Sequence, residues 1–354
     1  MIPAAQPEIV QAATKAEMRK FVRKTMSKYH VRGSVVVVQD GKPQQISYGY
    51  ALYGAQIGNG NAQIVYPTGS LQKVVTGAMI MQIMNQKKRT SSSFDQNTKI
   101  SRWYPKLVNA KKISLGNLLT HTSGIKATNT EIWRYHTYSE NAAVNWVVNN
   151  ANNYAAGEVN SYHYNNTNYI LLAGIIRKET GKSYQANLKE RIVNKLGLKN
   201  TFVSSNIPKN KLIASSYYSN GDYNYRHPVL VTKAFASQLL GAGNLFTTPK
   251  EYYEIQNGLL NGQILTTNEY HYLTHLDSKV TGYSGGLHIK KGGKLKVAYG
   301  NLHGTHYATW VQLTANNQNG IVMFLNQTND NAASEKKVGY QILQRIKKHT
   351  FVKG

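Results

Sequence analysis

Strand-like segments crowd the two ends of this chain, and the stretch between them reads largely as helix. Near the start, Ser34 to Gln39 is a valine run, and after the turn Asp40-Gly41-Lys42-Pro43 the residues Ile46, Tyr48 and Tyr50 alternate with smaller or polar ones. That two-residue period predicts a hairpin at the head of the chain. Far downstream, Gly286 to Ile289, Leu295 to Tyr299, Thr309 to Thr314 and Ile321 to Leu325 read as further strands, separated by Lys-Gly-Gly-Lys and Asn-Asn-Gln-Asn-Gly turns. Helices bracket these strands. From about Lys15 to Tyr29, Met18, Phe21, Val22 and Met26 recur at helical steps, and Val338 to Ile346 closes the chain with an amphipathic pattern. The middle is mostly helical, with breaks at Gly124, Gly157, Gly181 and Gly241-Ala242-Gly243. Strands at both ends and helices between them imply an α/β fold, one antiparallel sheet built from both chain ends with an inserted helical domain. The expected division is a tail over 1–14 and one domain over 15–354. Within it the α/β part covers about 15–75 and 240–354, and the helical part about 76–239. A crevice between sheet and helices is where a site is expected.

Composition narrows the chemistry. With 354 residues, 41% of them hydrophobic, the chain can bury a sizeable core. No run of eighteen apolar residues occurs, so no transmembrane segment is expected. The Ala/Gln-rich opening reads as a linker left after removal of an export signal, which would place the protein outside the cell, at the wall or membrane surface. Cysteine is absent, which excludes disulfides, thiolate metal sites and a cysteine nucleophile. Forty-two Lys and Arg against sixteen Asp and Glu give a formal charge of +26, a field that concentrates polyanions. The basic residues are dispersed and no nucleic-acid signature accompanies them, so the expected partner is an anionic wall polymer or lipid headgroup rather than nucleic acid.

Ser70-Leu71-Gln72-Lys73 follows Pro67-Thr68-Gly69 and opens an apolar helix through Val74, Val75, Ala78, Met79, Ile83 and Met84. Residues at i and i+3 share a helix face, so the Lys73 amine can reach the Ser70 hydroxyl and activate it as a nucleophile. A serine in that place is otherwise a helix cap, a role that does not call for Lys73. Tyr164-Asn165-Asn166 precedes a second apolar stretch, Tyr169 to Ile176. A phenol beside a lysine can relay a proton, and an asparagine amide can hold the lysine and donate to a carbonyl.

These two motifs, with Leu118-Leu119-Thr120-His121-Thr122-Ser123-Gly124-Ile125, Gly181-Lys182-Ser183-Tyr184, Lys195-Leu196-Gly197-Leu198 and Gly241 to Pro249, make the chain resemble a known family. It is similar to the class C serine β-lactamases, the penicillin-binding D,D-carboxypeptidases and the related esterases, from about Gly33 to Asn329. The resemblance implies the transpeptidase-like fold, with Ser70 acylated, Lys73 accepting its proton, Tyr164 as co-base and Asn166 as the amide of the second motif. His121 is expected to be structural. The family's third motif, Lys or His then Thr or Ser then Gly, is not matched between Gly300 and Tyr307. Two registers compete there: Gly304 as the motif glycine behind Leu302 and His303, or His303 as the leading cation before Gly304 and Thr305. His303 and Gly304 are accordingly the candidate substrate-binding residues.

No cofactor is implied. His271 and His275, with Asp277 nearby, and His303 with His306, lack a convincing third ligand, so no metal is expected. The expected reaction is two-step acyl transfer on a D-alanyl bond of the bacterial envelope. The substrate would be a peptidoglycan stem peptide for a D,D-carboxypeptidase, or teichoic acid for a D-alanyl esterase. The alternatives are a β-lactamase and a catalytically idle protein that binds anionic walls.

Overall fold

The structure, a computed structural model, describes residues 7–126, 130–276 and 282–348. Seven antiparallel strands form the body of the main sheet. Their order is Tyr283–Ser284, Leu287–Lys290, Leu295–Asn301, Ala308–Thr314, Gly320–Thr328, Arg32–Gln39 and Lys42–Tyr48. The two ends of the chain meet inside it, where Val36 pairs with Val322 and Val38 with Gly320. This is the α/β architecture expected, a sheet from both termini with helices inserted between them.

The valine run is explained by burial on both sides. Successive side chains of a strand point to opposite faces. Val35 and Val37 pack with Met18, Val22 and Met26 of the first helix and with Val338 and Ile342 of the last. Val36 and Val38 instead join the larger core that contains the inserted helices. Each such side chain contributes roughly 1.5 to 3 kcal/mol when fully buried, so the central strand is fixed from both faces at once.

Two expectations change. The first helix spans Pro7–Lys28, so residues 7–14 are helical rather than part of a tail, while 1–6 lie outside the described residues. Short strands also occur that the mostly helical reading of the middle did not mark, two of them in the α/β part. Phe202–Val203, Leu245–Thr247, Ile64–Pro67 and Leu212–Ile213 form a second, four-stranded sheet, and Ser216–Tyr218 and Arg226–Val229 extend the main one. Segments of two to four residues are too short to show a period, and they are strands only because a partner edge satisfies their backbone.

At the centre lies the helix Lys73–Lys87, with every residue from Lys73 to Met84 buried. A helix buried all round needs no amphipathic stripe. It packs against the helix Asn166–Thr180, which brings the two helix-opening motifs together at the sheet edge.

Candidate active site

Ser70 sits where a strand becomes a helix. Ile64–Pro67 ends at Thr68, whose N–H donates to Leu245 O at 2.9 Å. Gly69 then turns with φ +53°, and the 3-10 turn Gly69–Gln72 runs directly into the helix Lys73–Lys87. The Thr309 hydroxyl lies 2.9 Å from Thr68 O and 3.1 Å from Gly300 O, tying this turn to the strand Leu295–Asn301. The approach is close enough that a Cβ on Gly300 would stand 2.5 Å from Ser70 N. Only glycine fits there.

The Ser70 hydroxyl does not cap a helix. The N-cap of the long helix is Gln72, whose side chain makes no capping bond to it. Ser70 Oγ instead lies 2.8 Å from Lys73 Nζ and accepts from the Tyr164 phenol at 2.6 Å. Lys73 is fully buried and also donates to Asn166 Oδ1 at 2.8 Å and to Ala242 O at 3.2 Å. Burial pushes its amine down from 10.5 to about 7, partly opposed by the negative charge of Glu131. The geometry then decides which way protons run. Two of the three Lys73 partners are carbonyl oxygens that can only accept. A neutral amine gives them its two hydrogens, and its lone pair is left facing the Ser70 hydroxyl.

Tyr164 retains 39% of its surface toward the cleft. Loss of solvent around it, and then the neighbouring Tyr162, Tyr299 and Glu131, hold its phenol above the usual value, against the lowering effect of the Ser70 hydrogen bond. It is therefore a protonated phenol at neutral pH. Asn166 opens its helix, while its neighbour Asn165 caps that helix by accepting from Thr167 N–H. His121 is buried, and its Nδ1 accepts from Asn165 N–H at 3.2 Å and faces Asn168 Nδ2 at 2.9 Å. Burial and the Lys73 charge keep it neutral, well below its ordinary value. Its ring packs against that of Tyr164 with the centroids 4.2 Å apart.

A cleft of about 310 Å³ opens over Ser70, walled by Glu131, Tyr164, Asn166, Tyr299 and Asn301 among others. His303 and Gly304 do not line it, contrary to both registers read from the sequence. The strand continues to Asn301, which pairs with Ala308, so the hairpin turns later than expected. His303 and Gly304 fall on its exposed tip and border a separate depression. Tyr299-Gly300-Asn301 occupies the cleft edge instead. The sequence reasoning missed Glu131, Ala242, Tyr299 and Asn301. For Glu131 a signal existed, since an acidic residue shortly after the His-Thr-Ser-Gly segment is conspicuous in a chain with so few. Among the described residues no group of three His, Cys, Asp or Glu side chains could hold a metal. His271 and His275 stack on each other at 4.2 Å, and Asp277 lies outside the described residues.

With the geometry in place, comparison with known proteins decides the family. The Beta-lactamase family profile matches residues 18–344. The chain belongs to the beta-lactamase family. Among curated relatives, a teichoic acid D-alanine hydrolase of Staphylococcus aureus is 27% identical over 236 residues, 66% of this chain and 55% of that protein. The chain thus spans about half the length of the curated relatives it matches. Among solved structures, FmtA from Staphylococcus aureus superposes with a TM-score of 0.74 at 23% identity, covering 94% of this chain and 90% of that one. A D-amino acid amidase from Ochrobactrum anthropi SV3 gives 0.77 at 18% identity, covering 96% and 99%. A penicillin binding protein from Bacillus halodurans gives 0.71 at 17% identity, covering 93% and 98%. The curated relative is by its name a hydrolase, and the family match is what this chain shares with it.

Proposed function

We propose that the protein is a serine esterase that removes D-alanine from teichoic acid outside the cell. One observation carries the choice of substrate. The cleft over Ser70 presents the carboxylate of Glu131, and the strand edge that walls it, Tyr299-Gly300-Asn301, offers no cationic side chain. A D-alanyl ester carries a free ammonium group and no free carboxylate, so its charge complements such a cleft. A penicillin, a cephalosporin or a D-Ala-D-Ala terminus brings a carboxylate toward Glu131 and is opposed. The formal charge of +26 fits a polyphosphate backbone as the carrier of the ester. The teichoic acid D-alanine hydrolase relatives support the same substrate.

In the reaction, Ser70 Oγ attacks the ester carbonyl as its proton passes to the Lys73 lone pair, and the carbonyl π bond opens to an oxyanion. The Ser70 N–H, pressed against the strand edge at Gly300, is a donor available to that oxyanion. The Tyr164 phenol, hydrogen-bonded to Ser70 Oγ, is placed to relay the proton to the departing polyol oxygen. Lys73 restores the phenol, the C–O bond breaks, and D-alanyl-Ser70 remains. Water then adds to this acyl-enzyme with the same groups serving in reverse order.

The test is a substrate profile of the purified protein against D-alanine methyl ester, a D-Ala-D-Ala peptide and a chromogenic cephalosporin. The ester is expected to be turned over fastest. A cephalosporin or peptide as the best substrate at neutral pH would refute the reading of the cleft.

A further inference from the structure

Beyond the hairpin tip that displaces His303 from the cleft lies a second depression of about 340 Å³. Its walls include His306, Thr328, Asp330 and Glu335, and it shares Asn301 and Leu302 with the nucleophile cleft. A single stretch of chain therefore separates the two. Asp330 holds His306, with Nδ1 at 2.8 and 3.0 Å from its two oxygens. Glu335, in the first turn of the helix Ala332–Lys347, is different. It is only 3% exposed, it borders the depression, and among the described residues it has no hydrogen-bond or ion-pair partner.

The Glu335 oxygens are not among the fully buried atoms that lack a partner, so the carboxylate keeps access to the depression it borders, and a largely desolvated carboxylate favours a cation beside it. Burial, and after it the charge of Asp330, push Glu335 up to about 7. A cation seated in the depression would remove both penalties. It would lie between Glu335 and Asp330, both of which line the depression. A chelated metal ion is not the fit, because no group of three ligating side chains assembles among the described residues. A primary ammonium ion, which needs only acceptors around it, is. Teichoic acid bearing several D-alanyl esters carries one such ammonium on each.

We propose that this depression is a second substrate subsite, which holds the ammonium of a D-alanyl group on a neighbouring repeat while Ser70 attacks the ester in the cleft. The inference rests on the D-alanyl esterase reading of that cleft. The polymer crosses from one site to the other over Leu302, and Glu335 and Asp330 supply the counter-charge. The protein would then favour densely alanylated polymer over an isolated ester.

The experiment compares the full chain with Glu335→Gln and Asp330→Asn on two substrates, D-alanylated lipoteichoic acid and D-alanine methyl ester, by the D-alanine released. Each variant is expected to raise KM for the polymer roughly ten- to a hundredfold, the value of one charged hydrogen bond, with kcat unchanged. Methyl ester kinetics should stay at the wild-type values, because that substrate has no second ammonium. Circular dichroism melting of each variant confirms that it is folded. Equal polymer KM values for wild type and both variants overturn the subsite, as do equal losses on both substrates, which would mean a purely structural role. A wild-type protein that releases D-alanine from neither substrate overturns the esterase reading itself, an outcome distinct from loss of the subsite alone.

Discussion

The charge state of Lys73 can be followed directly in the pH dependence of acylation. Buried beside Ser70, its amine titrates at about 7 rather than 10.5. Below that value it is protonated and has no lone pair for the Ser70 proton, so the active fraction rises with pH. With a pKa of about 7 that fraction is about one-eleventh at pH 6, one-half at pH 7 and ten-elevenths at pH 8. The expected result is an increase in kcat/KM of about tenfold between pH 6 and pH 8, with a plateau above. A p-nitrophenyl ester with no ionisable group is the right substrate, because every titration then belongs to the enzyme. Neither aromatic neighbour interferes in this window. His121 stays neutral because its pKa lies well below the usual value, and Tyr164 stays protonated because its own is raised. Glu131 holds the Lys73 value up, so Glu131→Gln should move the limb to lower pH. Lys73→Ala should cost roughly 10²- to 10⁴-fold, the usual loss for a general base, and should abolish the limb. A flat or falling profile from pH 6 to 8, or a limb that persists in Lys73→Ala, would refute Lys73 as the base.

Ser70→Ala should abolish the mass adduct that a slowly hydrolysed acylating probe leaves on the Ser70 peptide, and Tyr164→Phe should slow turnover less than Lys73→Ala does; adduct on any other peptide removes Ser70 from the mechanism. Glu131→Gln should raise KM for D-alanine methyl ester roughly tenfold or more, in line with loss of a charged contact, and narrow the gap to cephalosporins; an unchanged ratio rules out ammonium recognition by Glu131. Lys296, 1% exposed with the Tyr270 hydroxyl 3.4 Å away, is pushed by burial from 10.5 to about 7. Its folded-state value lies below the unfolded one, so stability is complete above pH 10.5, declines as pH falls toward 7, and is level below that. The deficit at pH 7 is on the order of 4 kcal/mol. Lys296→Met should raise stability by up to that amount at pH 7 and by nothing from this source above pH 10.5. Urea titrations at both pH values check it, and a destabilised variant at pH 7 would contradict the reasoning.

The sequence alone determined much of this protein, for local reasons. Alternation and turn chemistry placed the first hairpin and the four later strands within a residue or a few of their true bounds. Ser70 and Lys73 were legible because i and i+3 spacing on one helix fixes their neighbourhood without any tertiary information. Tyr164 and Asn166 were legible only through their motif, since Tyr164 lies 94 positions beyond Ser70 and nothing local ties the two. What tertiary structure decided begins there. It set the two carbonyl oxygens that aim the Lys73 lone pair, one of them Ala242 O, a backbone atom that no side-chain pattern can mark. It set Glu131 in the cleft and Glu335 in the depression beside it, because the field at a carboxylate depends on which segments fold around it. It also overruled the third motif. Residues 302–307 read as if they edged the cleft, but pairing of Asn301 with Ala308 carried the strand further and lifted His303 and Gly304 onto the tip. A strand's end is fixed by the partner that satisfies its hydrogen bonds, and that partner lies outside the local sequence.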